Sequence, residues 1–174
     1  MLIVRATKKL LDRVGGPDLG EDEESTTVLG QWYATALFWK PQVALLVNES
    51  TLLPVLMPLA PAATLLDRIP DQIATVLAAH GVAEPVIGDE VRRMTDGVRV
   101  GKTANRSVVG IMNEFSHLAE VHRARTPAPD LLGMAMRLAA TPCGPLYRRH
   151  VRPDRELHAF LNPWQGDGRH RRTP

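Results

Sequence analysis

The residues that first suggest chemistry are Gly101-Lys102-Thr103, the triplet with which a phosphate-cradling loop closes. Such a loop requires an earlier glycine five positions before Gly101, where this chain has Asp96, and Gly97 is one place off. The loop therefore has the wrong length to wrap a phosphate. An electrostatic argument survives. A strand leading into Gly101 and a helix capped by Thr103 would set Lys102 and Arg106 about the start of the longest helical segment. That end already carries roughly half a positive charge, so each exposed cation there costs on the order of 0.3–1 kcal/mol. A compensating anion is expected, because backbone N–H groups and two cations make an anion site. It is either a phosphoryl or carboxylate group of a ligand, or an internal carboxylate such as Glu49. The ligand-binding set expected on this reading is Lys102, Thr103, Asn105, Arg106, Ser107 and Asn113.

Other constellations fall short. Glu114-x-x-His117 is half of a di-iron helix signature, but Glu156-Leu157-His158 has the wrong spacing to supply the second half. Ser107 precedes Gly110 with no glycine at 105, so the nucleophile elbow is missing. Asp18, Glu21, Asp22, Glu23 and Glu24 lack the alternating oxygens and central glycine of a calcium loop and read as a solvated, mobile segment. Cys143 is the single cysteine. A reactive thiol needs a neighbouring base, and nothing in the sequence brings His150 or His158 beside it. No metal, cofactor or catalytic set is assigned.

The net charge of +2 conceals an asymmetry. Residues 1–145 hold 14 lysines and arginines against 16 acids, whereas residues 146–174 hold seven arginines against three acids. Such an arm attracts nucleic acid or an acidic protein, with Arg148, Arg149, Arg152 and Arg155 as the contacting residues. Otherwise it is a solubilising terminus. Met1-Leu2-Ile3-Val4 is too short for an export signal, and the apolar stretch 43–66 is broken by Asn48, Glu49 and three prolines, too often for a membrane span. A cytoplasmic chain is expected. Seventeen arginines against four lysines suggest a GC-rich bacterial genome.

The elements that must position these residues follow from periodicity. Leu2-Ile3-Val4 is β-prone, and Thr7 caps a helix over Lys8–Val14 that Gly15-Gly16-Pro17 ends. Residues 31–57 hold three apolar runs separated by Lys40-Pro41-Gln42 and by Asn48–Thr51, which predicts an antiparallel meander. The unalternating Val43–Val47 is expected to be buried on both faces, and Pro54 places the third run at an edge or a bulge. Thr64–Ile69 predicts a short helix that Pro70 restarts; Glu84–Met94 predicts another, and Val98–Gly101 a strand. Val108, Ile111/Met112, Phe115, Leu118/Ala119 and His122 recur at helical spacing within Ala104–His122. A proline-rich linker at 126–130, helices over Leu131–Leu138 and Pro153–Leu161, and a disordered tail from 162 complete the chain. With 174 residues and 44% apolar content, the chain can bury a core unaided. The expected fold is α+β: a small, mostly antiparallel sheet covered by helices over residues 1–123, then a helical, basic extension over 124–174.

Met1–Leu11, Leu29–Ala34, Leu46–Glu49, Thr51–Val55, Gly101–Val108 and Met112-Asn113 together resemble a bacterial family catalogued as domain of unknown function 6933. The likeness covers most of residues 1–123 and is most specific around 101–113. Gln31 and Glu114 stand where that pattern would have aspartate. The resemblance implies a small α+β fold and supplies no activity or ligand. Three functions are consistent with the residues. The first is a non-catalytic binding or regulatory module that contacts nucleic acid or another anion. The second is an enzyme acting on a small phosphorylated or carboxylated molecule at the helix start. The third is a protein-interaction partner that uses the Trp32/Trp39 hairpin.

Overall fold

A computed structural model describes residues 1–126 and 130–166. The apolar run at the beginning forms β1 (Leu2–Ala6), followed by helix α1 (Lys8–Val14), whose Leu10 and Leu11 are buried and whose chain reverses at Gly15 with φ +99°. Thr7 marks the boundary as expected. Its hydroxyl, however, meets Thr35 Oγ1 at 2.8 Å instead of capping the helix. The three runs of 31–57 become β2 (Trp32–Leu37), β3 (Val43–Asn48) and β4 (Pro54–Pro58), an antiparallel meander. Every residue of β3 is buried, and Pro54 lies on the edge strand, where its missing N–H breaks no inner ladder.

The sheet is mixed, not mostly antiparallel. Its order is β4-β3-β2-β1-β5, with β5 spanning Val98–Lys102, and β1 pairs in parallel with both β2 and β5. A crossover through α1 returns the chain beside β1, and a second returns it on the other side through α2 (Leu65–Ala79) and α3 (Glu84–Met94). A strand between two parallel neighbours is covered on both faces, which is why Leu2-Ile3-Val4 is fully buried. Local periodicity carries no trace of such long-range pairing.

Helix α2 runs unbroken through Pro70, which the sequence reading makes a restart. The ring removes one hydrogen bond near the helix start, while Leu65, Ile69, Ile73, Val76 and Leu77 form one buried stripe across it. Together with α1, α3 and α6 (Pro153–Gly166), this helix covers one face of the sheet. The opposite face carries α4 (Arg106–Arg125) and α5 (Leu131–Ala139) over Tyr33, Val43, Leu45, Val47 and Leu56. Residues 162–166 are helical where a disordered tail is expected; the rest of that tail, with Arg169, Arg171 and Arg172, lies outside the described residues, as does most of the linker at 126–130.

The acidic segment after α1 is laid along the sheet edge. Val100 O accepts from the N–H groups of Asp18 and Leu19, and Asp18 Oδ1 accepts from Val100 N. Arg99 pairs with both Asp18 and Glu23. A Cβ on Gly101 would stand 2.7 Å from Leu19 Cδ2, so the glycine makes room for the strap. Its composition suggests solvated loop; its function in the fold is to occupy the open edge of β5.

One side chain ties the segment entering β2 to the β3–β4 turn. Asn48, fully buried, donates from Nδ2 to Leu29 O (2.9 Å) and Gln31 O (3.3 Å). Its Oδ1 accepts from Ser50 N, Thr51 N and Thr51 Oγ1 within 3.1 Å. Asn48→Ala would orphan several of these buried groups at about 1–3 kcal/mol apiece before relaxation, so we expect a net loss of roughly 2–4 kcal/mol. Chemical denaturation checks this; a loss under about 1 kcal/mol would contradict it.

Candidate functional site

The start of α4 is built differently from the expectation. Asn105, not Thr103, is the N-cap: its backbone is extended and its Oδ1 accepts from Ser107 N (3.0 Å) and Val108 N (3.4 Å). Asparagine at this place satisfies two of the donors a helix leaves open, whereas a cap at Thr103 would require helical backbone through Asn105. Lys102 is consequently the last residue of β5, opposite Ala6, and Arg106 the first of the helix.

A native carboxylate already stands at this end. Glu49 Oε1 accepts from Asn105 Nδ2 at 3.2 Å and from the Tyr33 hydroxyl at 3.3 Å, and that hydroxyl accepts from Asn105 N at 3.0 Å. Tyr33 is buried, and burial pushes its phenol above the ordinary value, opposed by the Asn105 N–H and reinforced by Glu49. Glu49 thus meets the N-cap amide, not the cations. Among the described residues neither Lys102 nor Arg106 enters an ion pair; both are exposed. Thr103 is half-buried, and Ser107 and Asn113 are exposed, Asn113 about 10 Å further along the helix axis than Arg106. The six expected residues therefore do not converge as a set.

The basic extension is also partly neutralised. Arg149 pairs with the buried Glu156, which His150 Nδ1 meets at 2.7 Å. Arg152 pairs with Asp154 at 2.7 Å. Arg148 and Arg155 are exposed, and among the described residues they have no acidic partner. The Cys143 thiol is buried, and burial with Glu114 nearby raises its pKa to about 12, so it is inert. Among the described residues no three histidine, cysteine or carboxylate side chains gather as metal ligands, and no helix is long and apolar enough to cross a membrane.

The site that sequence reasoning misses lies at the other end of α4. A cavity of about 560 Å³ opens between the β2–β3 turn, the end of β4 and the last turn of α4. Trp39, Pro41, Val43, Pro58, Ala124 and Leu131 supply apolar walls, and Lys40, Arg123 and Arg125 are cationic. Trp32 is fully buried and Trp39 is 9% exposed, so neither offers the open face that a tryptophan-mediated partner contact requires; Phe38, 53% exposed, is the outward aromatic of the turn. The Arg123 guanidinium lies over the Trp39 ring, 5.3 Å from its centroid, and Arg123 Nη2 donates to Glu120 Oε1 at 2.6 Å. The Arg123 contact first, with a lesser contribution from the Trp39 side chain, holds the Glu120 carboxyl below the usual range. Glu120 thereby holds the cationic wall, and Arg123 joins it to the aromatic one. Trp39-Lys40-Pro41 and the arginines before Pro127 were the available signals, but they lie more than 80 residues apart in the chain.

A family model described as Domain of unknown function (DUF6933) matches residues 3–156. The match continues past residue 123 through α5 into the first turn of α6. Comparison with curated proteins and with solved structures found no match.

The two ends of α4 make different demands on mutation. Asn105→Ala removes the cap and the Glu49 contact and should lower stability by about 1–2 kcal/mol. Lys102→Ala and Arg106→Ala should leave the denaturation midpoint where it is. If Arg106→Ala instead destabilised as much as Asn105→Ala, the charge at the helix start would be structural.

Proposed function

We propose that this chain, which belongs to the DUF6933 family, is a non-catalytic binding module for a small anionic molecule that enters the Trp39 cavity. The observation that carries the reading is the joining of three cationic side chains to an apolar, aromatic wall in one concavity of about 560 Å³. Pockets that hold small molecules fall between roughly 300 and 1,000 Å³ and combine apolar walls with a few orienting polar groups. The described lining contains no carboxylate, imidazole or thiol to act as nucleophile or general base, which favours binding over turnover. The arginine-over-lysine usage suits a bacterial source, and a single cysteine suits a reducing cytoplasm.

Anilinonaphthalene sulfonate, an amphiphilic anion, tests this by fluorescence titration. It should bind saturably at one site, and Trp39→Ala and the surface change Lys40→Glu should each weaken it about tenfold or more. Arg106→Ala should bind as the unaltered protein does. Indifference to Lys40→Glu, together with a loss on Arg106→Ala, would move the anion site to the helix start and overturn the proposal.

A second reading rests on Tyr147, 65% exposed and adjacent to the unpaired Arg148. An aromatic platform beside free guanidinium groups suits single-stranded nucleic acid, which stacks its bases and releases counterions from its phosphates. A single-stranded oligonucleotide should then bind with affinity falling steeply with salt, and Tyr147→Ala with Arg148→Ala should remove most of it. A flat salt response excludes this reading.

A further inference from the structure

We propose that Arg68, which does not itself line the Trp39 cavity, is the positioning residue that sets its β4 wall; the statement rests on the cavity being the binding site. Arg68 stands in the first turn of α2, between the buried Leu65 and Ile69. Its guanidinium donates to four carbonyls of the connection that precedes the helix. Nη1 meets Pro58 O at 3.0 Å, Nη2 meets Leu59 O and Pro61 O at 3.1 Å each, and Nε meets Thr64 O at 3.3 Å. Among the described residues no carboxylate pairs with Arg68, so its charge serves backbone dipoles.

The sequence of the connection explains why it needs a side-chain donor. Strand β4 ends at Pro58, and residues 59–61 belong to neither strand nor helix before a single 3₁₀ turn at Ala62–Thr64. Pro58 and Pro61 have no N–H to offer, and carbonyls left without donors are costly. A planar fork with five N–H groups reaches several carbonyls at once, whereas lysine presents one compact ammonium. Leu65 and Ile69 anchor the first turn of α2 in the core, so the fork is carried by a rigid element.

The same peptides build the cavity. Pro58 lines it and stands in register with Val43, another lining residue. Leu59 N donates to Gln42 O at 3.0 Å, and Gln42 lines the cavity as well. The dipeptide Pro58-Leu59 thus gives its two carbonyls to Arg68 and its one N–H to the β2–β3 turn. Without the guanidinium those carbonyls must find water, and the wall that carries Pro58 and Gln42 loosens with them. A wall that is not fixed beforehand adds an ordering cost to binding, so affinity falls although no ligand contact is removed.

Titration with anilinonaphthalene sulfonate tests this on two variants. Arg68→Lys and Arg68→Gln should each weaken the dye by about fivefold or more, and the Leu59 amide should exchange with deuterium faster in Arg68→Lys. Lysine keeps the positive charge but not the fork. Arg68→Lys binding the dye as tightly as the unaltered protein does would therefore overturn the positioning role, whatever Arg68→Gln does, and it decides the matter alone if Arg68→Gln does not fold. Ile73→Val, a core change further along α2, should lower the denaturation midpoint and leave dye affinity within about twofold. A loss of affinity there equal to that of Arg68→Lys would make global stability the cause and overturn the proposal while leaving the cavity reading intact. Failure of the dye to bind the unaltered protein would remove both.

Discussion

The buried amide of Asn48 is the constraint on which the rest of this architecture hangs. Its nitrogen holds the strand entering β2, and its oxygen folds the turn that leads out of β3. With that turn set, Glu49 N donates to Gln31 O, and the Glu49 side chain is delivered to Tyr33 and Asn105. Asn105 in turn begins α4. The order of causes thus runs from one fully buried polar group to the placement of a 20-residue helix. At 1.5 Å per residue that helix carries the constraint about 30 Å, to the cavity at its far end. A buried amide with all its partners satisfied suits this role because leaving any of them unpaired is expensive.

Much of this was legible from residue pattern, and what was not has definite physical reasons. The meander, the edge position of Pro54 and the buried stripe of α4 follow from spacing alone. The parallel pairing of β1 with β2 and β5 does not, because it joins segments separated by long crossovers. Thr103 and Asn105 are both good capping residues two positions apart. Only the presence of Tyr33 and Glu49, brought by a different part of the chain, selects Asn105. The acidic segment reads as solvated by composition, yet its backbone and Asp18 complete an edge strand. In each case the deciding partner is distant in sequence.

The candidate site illustrates the same limit in electrostatic form. A sequence shows where cations are but not which are already matched. Arg149 and Arg152 are matched by Glu156 and Asp154, and so a basic extension of apparent strength presents two free guanidinium groups from the four expected. The start of α4 looks like a concentration of positive charge, and two of its backbone donors are taken by Asn105 while a carboxylate sits alongside. The surplus that remains has to be sought where neither helix capping nor ion pairing uses it.

That search ends at the opposite terminus. Cations at a helix C-terminus are ordinary, since they complement the half-charge of the dipole. Arg125 can be assigned to that role, and Arg123 is committed to Glu120 and the Trp39 ring. Lys40 has neither explanation. It belongs to the turn between β2 and β3, and among the described residues it meets no carboxylate. A lysine on a separate element, lining the same concavity as a tryptophan whose ring lies under Arg123, is more positive charge than the helix requires. Among the described residues Lys102 and Arg106 are likewise unpaired, so what sets the cavity apart is the tryptophan and apolar wall beside its cations, not the count of free charges.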